Sequence, residues 1–203
     1  GNRQISLTLL ESALEACQGN NPKLEIAVLN NLGQVHLHSG LPLVAKSFFE
    51  KAIKIMQDSG EINDIASIML NIATFYRVTG QLDAALETSQ LSLKYLEESK
   101  DQKGEATAFI NIGEIYRARG QTEKALNSFE QALTIMRKQG DLAGEANVLN
   151  NIGETYRLAG LPKVAIKAFE RALPIATSVK DLASEASIIN NIGLVYHILH
   201  DYK

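Results

Sequence analysis

Residues 101–140 read DQKGEATAFINIGEIYRARGQTEKALNSFEQALTIMRKQG, and residues 141–180 read DLAGEANVLNNIGETYRLAGLPKVAIKAFERALPIATSVK. The two stretches align without a gap and are identical at 17 of 40 positions. Self-similarity at a fixed period is typical of proteins built from stacked supersecondary units. The chain is therefore first of all a repeat protein with a 40-residue period.

Columns of similar residues extend this period over the 203 residues of the chain. The clearest columns are Asn31, Asn71, Asn111, Asn151 and Asn191; Gly33, Ala73, Gly113, Gly153 and Gly193; His36, Tyr76, Tyr116, Tyr156 and Tyr196; and Phe49, Ser89, Phe129 and Phe169. We expect a single array over 1–203, with an orphan second helix at 3–20. Full repeats follow at 21–60, 61–100, 101–140 and 141–180, and a truncated fifth repeat at 181–203.

Each repeat reads as two helices joined by a short turn. In the third repeat Asp101 is a suitable N-cap, and apolar residues follow at helical spacing until Gly120, which suits a left-handed helix end. A second helix is expected from about 122 to 138. Gly113 and Ala125 are small, and we expect them to face each other where the two helices cross. No stretch alternates with period two, so the fold class is all-α.

Composition excludes several classes of protein. Hydrophobic residues make up 45% and charged residues 21%, and the net charge is −3, which argues against non-specific nucleic-acid binding. No apolar run is long enough for a membrane span, and no signal peptide opens the chain. With the single cysteine Cys17, these features favour a cytoplasmic protein. No catalytic motif, metal-ligand set or cofactor loop is present, so we expect neither an enzyme nor a cofactor.

The columns resemble the tetratricopeptide repeat (TPR), and in particular the long repeats of kinesin light chains, Leu-Gly-Asn adaptors and bacterial signalling proteins. The third repeat carries the matching residues Ile112, Gly113, Tyr116, Gly120, Ala125, Phe129 and Ala132. The resemblance implies a right-handed α-solenoid of antiparallel helix pairs, whose first helices line a concave groove. It also implies a protein–protein interaction scaffold that binds a peptide segment or a partner domain.

Polar side chains follow the helix face that would line this groove. An amide offers a donor and an acceptor, as a peptide backbone does, and Arg can hold a carboxylate through two hydrogen bonds. The candidate partner-binding residues are Asn31, Asn71, Asn111, Asn151, Asn191, Asn150 and Asn190, with Arg77, Arg117, Arg157, Glu114 and Glu154. The Asn side chains could equally hydrogen-bond to neighbouring repeats. The Arg side chains of the third and fourth repeats could pair with the Glu residues three positions earlier.

A second hypothesis is a structural spacer or a self-associating module. The first helix of the fifth repeat carries an apolar flank, Ile188, Ile192, Val195 and Leu199, which we expect to be open. Such a flank would allow a weak dimer through the C-terminal end of the array. Otherwise the chain would be monomeric.

Overall fold

The computed structural model describes the backbone of residues 2–60 and 65–201 and the side chains of residues 5–60 and 65–199. Over these residues the chain forms ten α-helices and no strand, which confirms the predicted all-α class. The chain divides into two compact units, Gly1–Ser99 and Lys100–Lys203. The repeat boundary predicted at residue 61 lies outside the described residues.

The first unit contains five helices. They are α1 (Asn2–Cys17), α2 (Pro22–His38), α3 (Pro42–Ser59), α4 (Ile65–Val78) and α5 (Leu82–Ser99). Helices α2 and α3 form one hairpin and α4 and α5 form the next, while α1 packs on α2 and α3 packs on α4. The first helix of each hairpin is called the first helix of its repeat below, and the other is called its second helix.

The second unit also contains five helices, but its single helix follows the two hairpins. Its helices are α6 (Gln102–Ala118), α7 (Thr122–Gln139), α8 (Leu142–Leu158), α9 (Pro162–Ser178) and α10 (Leu182–Asp201). Helices α6 and α7 form one hairpin and α8 and α9 form the next, and α10 packs on α9. By its place in the repeat, α10 is a first helix.

Caps and turns fix these helix ends as the sequence predicts. Oδ1 of Asp101 accepts a hydrogen bond from the N–H of Gly104 at 3.0 Å, and Asp141 caps α8 in the same way. Gly120 has φ +70° in the turn between α6 and α7, a left-handed conformation that strains other residues. Pro162 occupies the first turn of α9, where its missing N–H removes no helical hydrogen bond.

The helices of a hairpin meet where a phenyl ring lies on a glycine. A Cβ atom placed on Gly113 would lie 2.6 Å from Cε1 of Phe129, and one on Gly153 would lie 2.5 Å from Cε1 of Phe169. The side chain nearest to this position on Gly113 is the ring of Phe129, and Ala125, which the sequence predicts to face Gly113, is fully buried one turn earlier on α7. The absent side chain lets a large ring pack without a void.

Repeat two fills the same crossing with two small side chains. Ala73 stands in the glycine column and Ser89 in the phenylalanine column, and both are fully buried. Ser92, one turn further along α5, is also fully buried, and its Oγ donates a hydrogen bond to the carbonyl of Ala66 at 2.7 Å. The two serines thus belong to the hydrophobic contact between α4 and α5.

The apolar flank predicted to be open on α10 is buried instead. Ile188 and Val195 have no exposed surface, and Ile192 and Leu199 pack beside them against the core of the second unit. Ile188 falls in the column of Val148, which is fully buried, so this face contacts the preceding repeat. The exposed apolar side chains of α10 lie elsewhere, and they are Leu182, Ile189, Leu194 and Tyr196.

Candidate functional site

The first helices of neighbouring repeats touch each other within each unit. Helix α2 contacts α4 in the first unit, and α8 contacts both α6 and α10 in the second. The side chains between these helices form what we call the first-helix face. The predicted binding residues all lie on these helices, so this face is the candidate site.

Two pairs of asparagines connect consecutive first helices. Nδ2 of Asn71 donates a hydrogen bond to Oδ1 of Asn30 at 2.7 Å, and Nδ2 of Asn191 donates to Oδ1 of Asn150 at 2.9 Å. Each pair joins the Asn of the 40-residue column to the residue that precedes this column in the previous repeat. The sequence allows the Asn side chains either to bind a partner or to hydrogen-bond to neighbouring repeats. In these two pairs they hydrogen-bond to neighbouring repeats.

A third link uses arginine where the repeat lacks this acceptor. Ile110 occupies the position that Asn30 and Asn150 occupy in their repeats, so it cannot accept a hydrogen bond from Asn151. Nη1 of Arg117 instead donates to Oδ1 of Asn151 at 3.1 Å. Asn151 is buried, and its Nδ2 donates to Oδ1 of Asn147 at 3.2 Å. A hydrogen bond from Arg117 thus replaces the one that Ile110, on the same helix, cannot accept.

Arg157 is bound to its own helix. Its Nε and Nη2 atoms donate to the two carboxylate oxygens of Glu154 at 2.7 and 2.6 Å, which is a two-bond contact between residues three apart. These hydrogen bonds raise the pKa of Arg157 above its ordinary value. The pair predicted from the sequence therefore forms, and it neutralises both charges locally.

The other predicted binding residues differ in their solvent exposure. Asn31 and Asn190 are exposed, whereas Arg77, Asn111 and Glu114 are half-buried. Asn30 and Asn147 also form hydrogen bonds within the face, although neither is among the candidate binding residues. The sequence carries a signal for Asn30, because an asparagine stands directly before the Asn column in three of the five repeats.

A cleft opens between α2 and α4 beside these amides. It has a volume of about 170 Å³ and is lined by Ile26, Ala27, Asn30, Asn31, Ser67 and Ile68. Ala27, Asn31 and Ser67 are exposed at its rim, and Ile26 and Ile68 are buried. The cleft thus has an apolar base, small residues that allow close approach, and one exposed amide.

The described side chains contain no group of three or more His, Cys, Asp or Glu residues close enough to hold a metal ion. None of the described helices is both long enough and apolar enough to cross a membrane.

Comparisons with known proteins agree with this architecture. Two family models described as tetratricopeptide repeat match the chain, one over residues 64–138 and 142–203 and the other over residues 26–58. No curated protein matches the chain significantly.

Several solved structures share the fold at low sequence identity. A Rap protein complexed with competence and sporulation factor is 17% identical, with a TM-score of 0.83 over 97% of this chain and 54% of that chain. BtubC from P. vanneervenii is 23% identical, with a TM-score of 0.72 over 89% of this chain and 75% of that chain. A signal-transduction ATPase with a tetratricopeptide repeat sensor from Pyrococcus horikoshii is 16% identical, with a TM-score of 0.77 over 97% of this chain and 30% of that chain. The helix hairpins, the repeat columns and the family matches show that this chain belongs to the tetratricopeptide repeat family.

Proposed function

We propose that this protein-interaction scaffold binds an extended protein segment on the first-helix face of its first unit, with the cleft between α2 and α4 as the principal contact. The observation that carries the proposal is the composition of this cleft, in which amides and small side chains surround an apolar base. In an extended segment, backbone N–H and C=O groups are available along the chain, and successive side chains point to opposite sides. The cleft has a complement for each of these features.

The roles of the asparagines differ in this proposal. Asn31 is exposed at the cleft and contacts the backbone of the bound segment through its donor and its acceptor. Asn30 is held by Asn71, so its side chain is already oriented before a partner arrives. A group that is ordered in advance loses less entropy on binding than a mobile one.

The second unit has candidate contact residues of its own, which belong to a separate first-helix face. Asn190 is exposed on α10, and Asn111 and Glu114 are half-buried on α6. Asn71, Asn151, Asn150 and Asn191 act in the proposal by holding the face together, as their hydrogen bonds do in the structure. Arg157 and Glu154 act as a neutral pair, and Arg77 and Arg117 supply positive charge beside the amides.

A relative of the same fold supports a protein or peptide as the ligand class. The Rap protein that shares the fold was crystallised in complex with competence and sporulation factor, so one member of this architecture binds such a factor. The proposed activity is non-catalytic binding. The segment is recognised mainly through its backbone and one small side chain.

A selection of peptides tests the proposal directly. A phage-displayed random peptide library is panned on the 203-residue protein, and the affinity of the selected peptides is measured by fluorescence anisotropy. Ala27→Arg places a long cationic side chain in the cleft from an exposed position, and we expect it to weaken binding at least about tenfold, which is ~1.4 kcal/mol. Asn31→Ala should weaken binding by a smaller factor.

The matched control adds the same side chain elsewhere in the first unit. Gln57 is exposed on α3, so Gln57→Arg introduces an arginine without entering the cleft, and it should leave the affinity unchanged. Circular dichroism must show wild-type helix content for all three variants. Selected peptides that bind Ala27→Arg as tightly as the wild type would place the binding site outside the cleft.

A further inference from the structure

A cavity of about 320 Å³ lies between α3, α4 and α5 of the first unit. Its wall is largely apolar, and it includes Phe49, Ile53, Met69, Ile72, Phe75 and Tyr76. Lys46 and Glu50 also line the cavity, and because both are exposed it is accessible from solvent on their side. None of these residues lines the cleft between α2 and α4, so the cavity is a separate site.

The second unit buries the residues that occupy the matching positions. Met69 is half-buried, whereas Leu149, in the same column two repeats later, is 1% exposed. Ile72 is likewise half-buried, whereas Ile152 in its column is 5% exposed. The open wall is therefore a property of the first unit and does not follow from the repeat itself.

The first repeat departs from the others at Lys46. The column of this lysine contains, in the other full repeats, Leu86, Leu126 and Ile166. In the second unit Leu126 and Ile166 pack against the hydrophobic core. A lysine keeps its ammonium group in water and can cover apolar surface only with its methylene stem. Lys46 therefore leaves accessible the apolar wall that an aliphatic side chain covers in the second unit.

The ammonium group of Lys46 is only loosely paired. Its Nζ lies 3.4 Å from Oε1 of Glu50, which is longer than a charge-assisted hydrogen bond of good geometry, and the two side chains are 46% and 63% exposed. Because exposed pairs of this kind contribute little free energy, an anion in the cavity can replace Glu50 as the partner. Glu130 and Glu170 also occupy the column of Glu50, so the charge that distinguishes this site is the cation.

The wall of the cavity suits an aromatic molecule. The rings of Phe49, Phe75 and Tyr76 and the thioether of Met69 all line it, and both kinds of group make favourable contacts with aromatic rings. An apolar cavity of about 150 Å³ holds benzene, so the volume here has room for two fused rings. An apolar wall with a few polar groups at one side is the usual form of a small-molecule site.

We propose that this cavity binds a small aromatic carboxylate with about two fused rings. The ring system lies against the apolar wall beside Met69 and Phe75, and the carboxylate accepts a hydrogen bond from Nζ of Lys46. The apolar contact supplies most of the affinity, and the cation selects for the negative charge. Because the site shares no residue with the cleft between α2 and α4, the proposal does not depend on the proposed function.

An NMR titration with naphthoate tests the proposal, with the neutral naphthamide as the matched probe. The isotope-labelled methyl group of Met69 reports from the wall of the cavity, and that of Met136, on α7 in the second unit, is the reference. We expect naphthoate to shift the Met69 signal with a dissociation constant below about 1 mM and to leave the Met136 signal in place. Naphthamide should bind at least about fivefold more weakly, because it carries no negative charge.

Two substitutions of Lys46 separate the shape of the cavity from its charge. Lys46→Leu introduces the aliphatic side chain of the other repeats, so it should weaken the binding of both probes at least about tenfold. Lys46→Gln keeps a long polar side chain and removes the charge, so naphthoate should bind as weakly as naphthamide. Lys54→Leu, at an exposed lysine of α3 outside the cavity, is the matched control and should bind both probes as the wild type does.

Circular dichroism must show wild-type helix content in each variant, so that a loss of binding reports on the cavity alone. A Met69 signal that does not shift up to the solubility limit of naphthoate would overturn the proposal. So would an affinity that Lys46→Leu leaves unchanged, or equal affinities of the two probes for the wild type.

Discussion

Asn71 on α4 donates a hydrogen bond to Asn30 on α2 at 2.7 Å, and Asn191 on α10 donates to Asn150 on α8 at 2.9 Å. Both bonds join side chains 41 positions apart, which is one repeat plus one residue. Asparagine is a poor helix former because its short side chain competes for backbone hydrogen bonds, so its recurrence within these helices needs a specific contribution. In both units the asparagines contribute by linking consecutive first helices through a hydrogen bond.

The first prediction concerns the energy of this link. Asn191→Ala should lower the free energy of unfolding of the second unit by about 0.5–1.5 kcal/mol, because a half-buried hydrogen bond is lost. A double-mutant cycle with Asn150→Ala, measured by urea unfolding, should give a coupling energy of similar size. Asn190→Ala, at the neighbouring exposed amide, is the control and should change stability little. Additive effects of the two single variants would contradict the link.

The second prediction compares two glycines in the same column. Gly153→Ala brings a methyl group within 2.5 Å of the Phe169 ring, and the overpacking should cost about 1–3 kcal/mol. Gly193→Ala meets no described atom within 4 Å, and because alanine is the better helix former it should raise stability by about 0.5–1 kcal/mol. Thermal unfolding at low protein concentration measures both. Equal effects at the two positions would mean that α10 is covered as α8 is.

Most of the fold could be predicted from the sequence because small and large residues recur in register. The 40-residue columns, the cap Asp101 and the turn glycine Gly120 each correspond to a local requirement of the backbone, and the structure shows each as expected. Such requirements involve residues close in sequence. They can therefore be recognised without knowing which helices touch.

Two features could not be predicted because they depend on the packing partner of a helix face. The flank through Ile188 and Val195 was assigned to the open side of α10, although both residues lie against the core. Ile188 lies in the same repeat column as the buried Val148, but apolar character alone does not show which helix this face contacts. The hydrogen bond from Arg117 to Asn151 likewise depends on Ile110 in the same repeat, and it required three-dimensional placement.

The third prediction separates two buried serines of α5. Ser92→Ala removes the hydrogen bond to the carbonyl of Ala66, and it should lower stability by about 0.5–1.5 kcal/mol. The hydroxyl of Ser89 is buried and has no hydrogen-bond partner among the described residues, so Ser89→Ala should be neutral or stabilising by up to about 1 kcal/mol. Chemical unfolding of both variants measures the difference. A loss for Ser89→Ala as large as for Ser92→Ala would show that its hydroxyl is bonded.

The fourth prediction concerns the lysine that follows α9. Lys180 has φ +57°, whereas Gly140, at the same place after α7, has φ +70°. A side chain in this conformation is strained, so Lys180→Gly should raise stability by about 0.5–1 kcal/mol. Lys180→Ala keeps the strain and removes the charge, so it should give no comparable gain. Matching gains for glycine and alanine would attribute the effect to charge.

The fifth prediction is the pH dependence of the α10 N-cap. The side-chain hydrogen bond from Ser184 and its backbone N–H, at 2.6 and 3.1 Å, lower the pKa of Asp181 below its ordinary value. A carboxyl whose pKa is lower in the folded than in the unfolded state stabilises the fold above its unfolded pKa, and this stabilisation is lost as the pH falls through the folded pKa. Ser184→Ala should raise the pKa of Asp181 towards its ordinary value, as measured by NMR titration of the carboxyl carbon. The variant should be less stable than the wild type at neutral pH, and the part of this difference that arises from ionisation should disappear in acid. A pKa unchanged by Ser184→Ala would show that the backbone N–H alone holds the carboxylate.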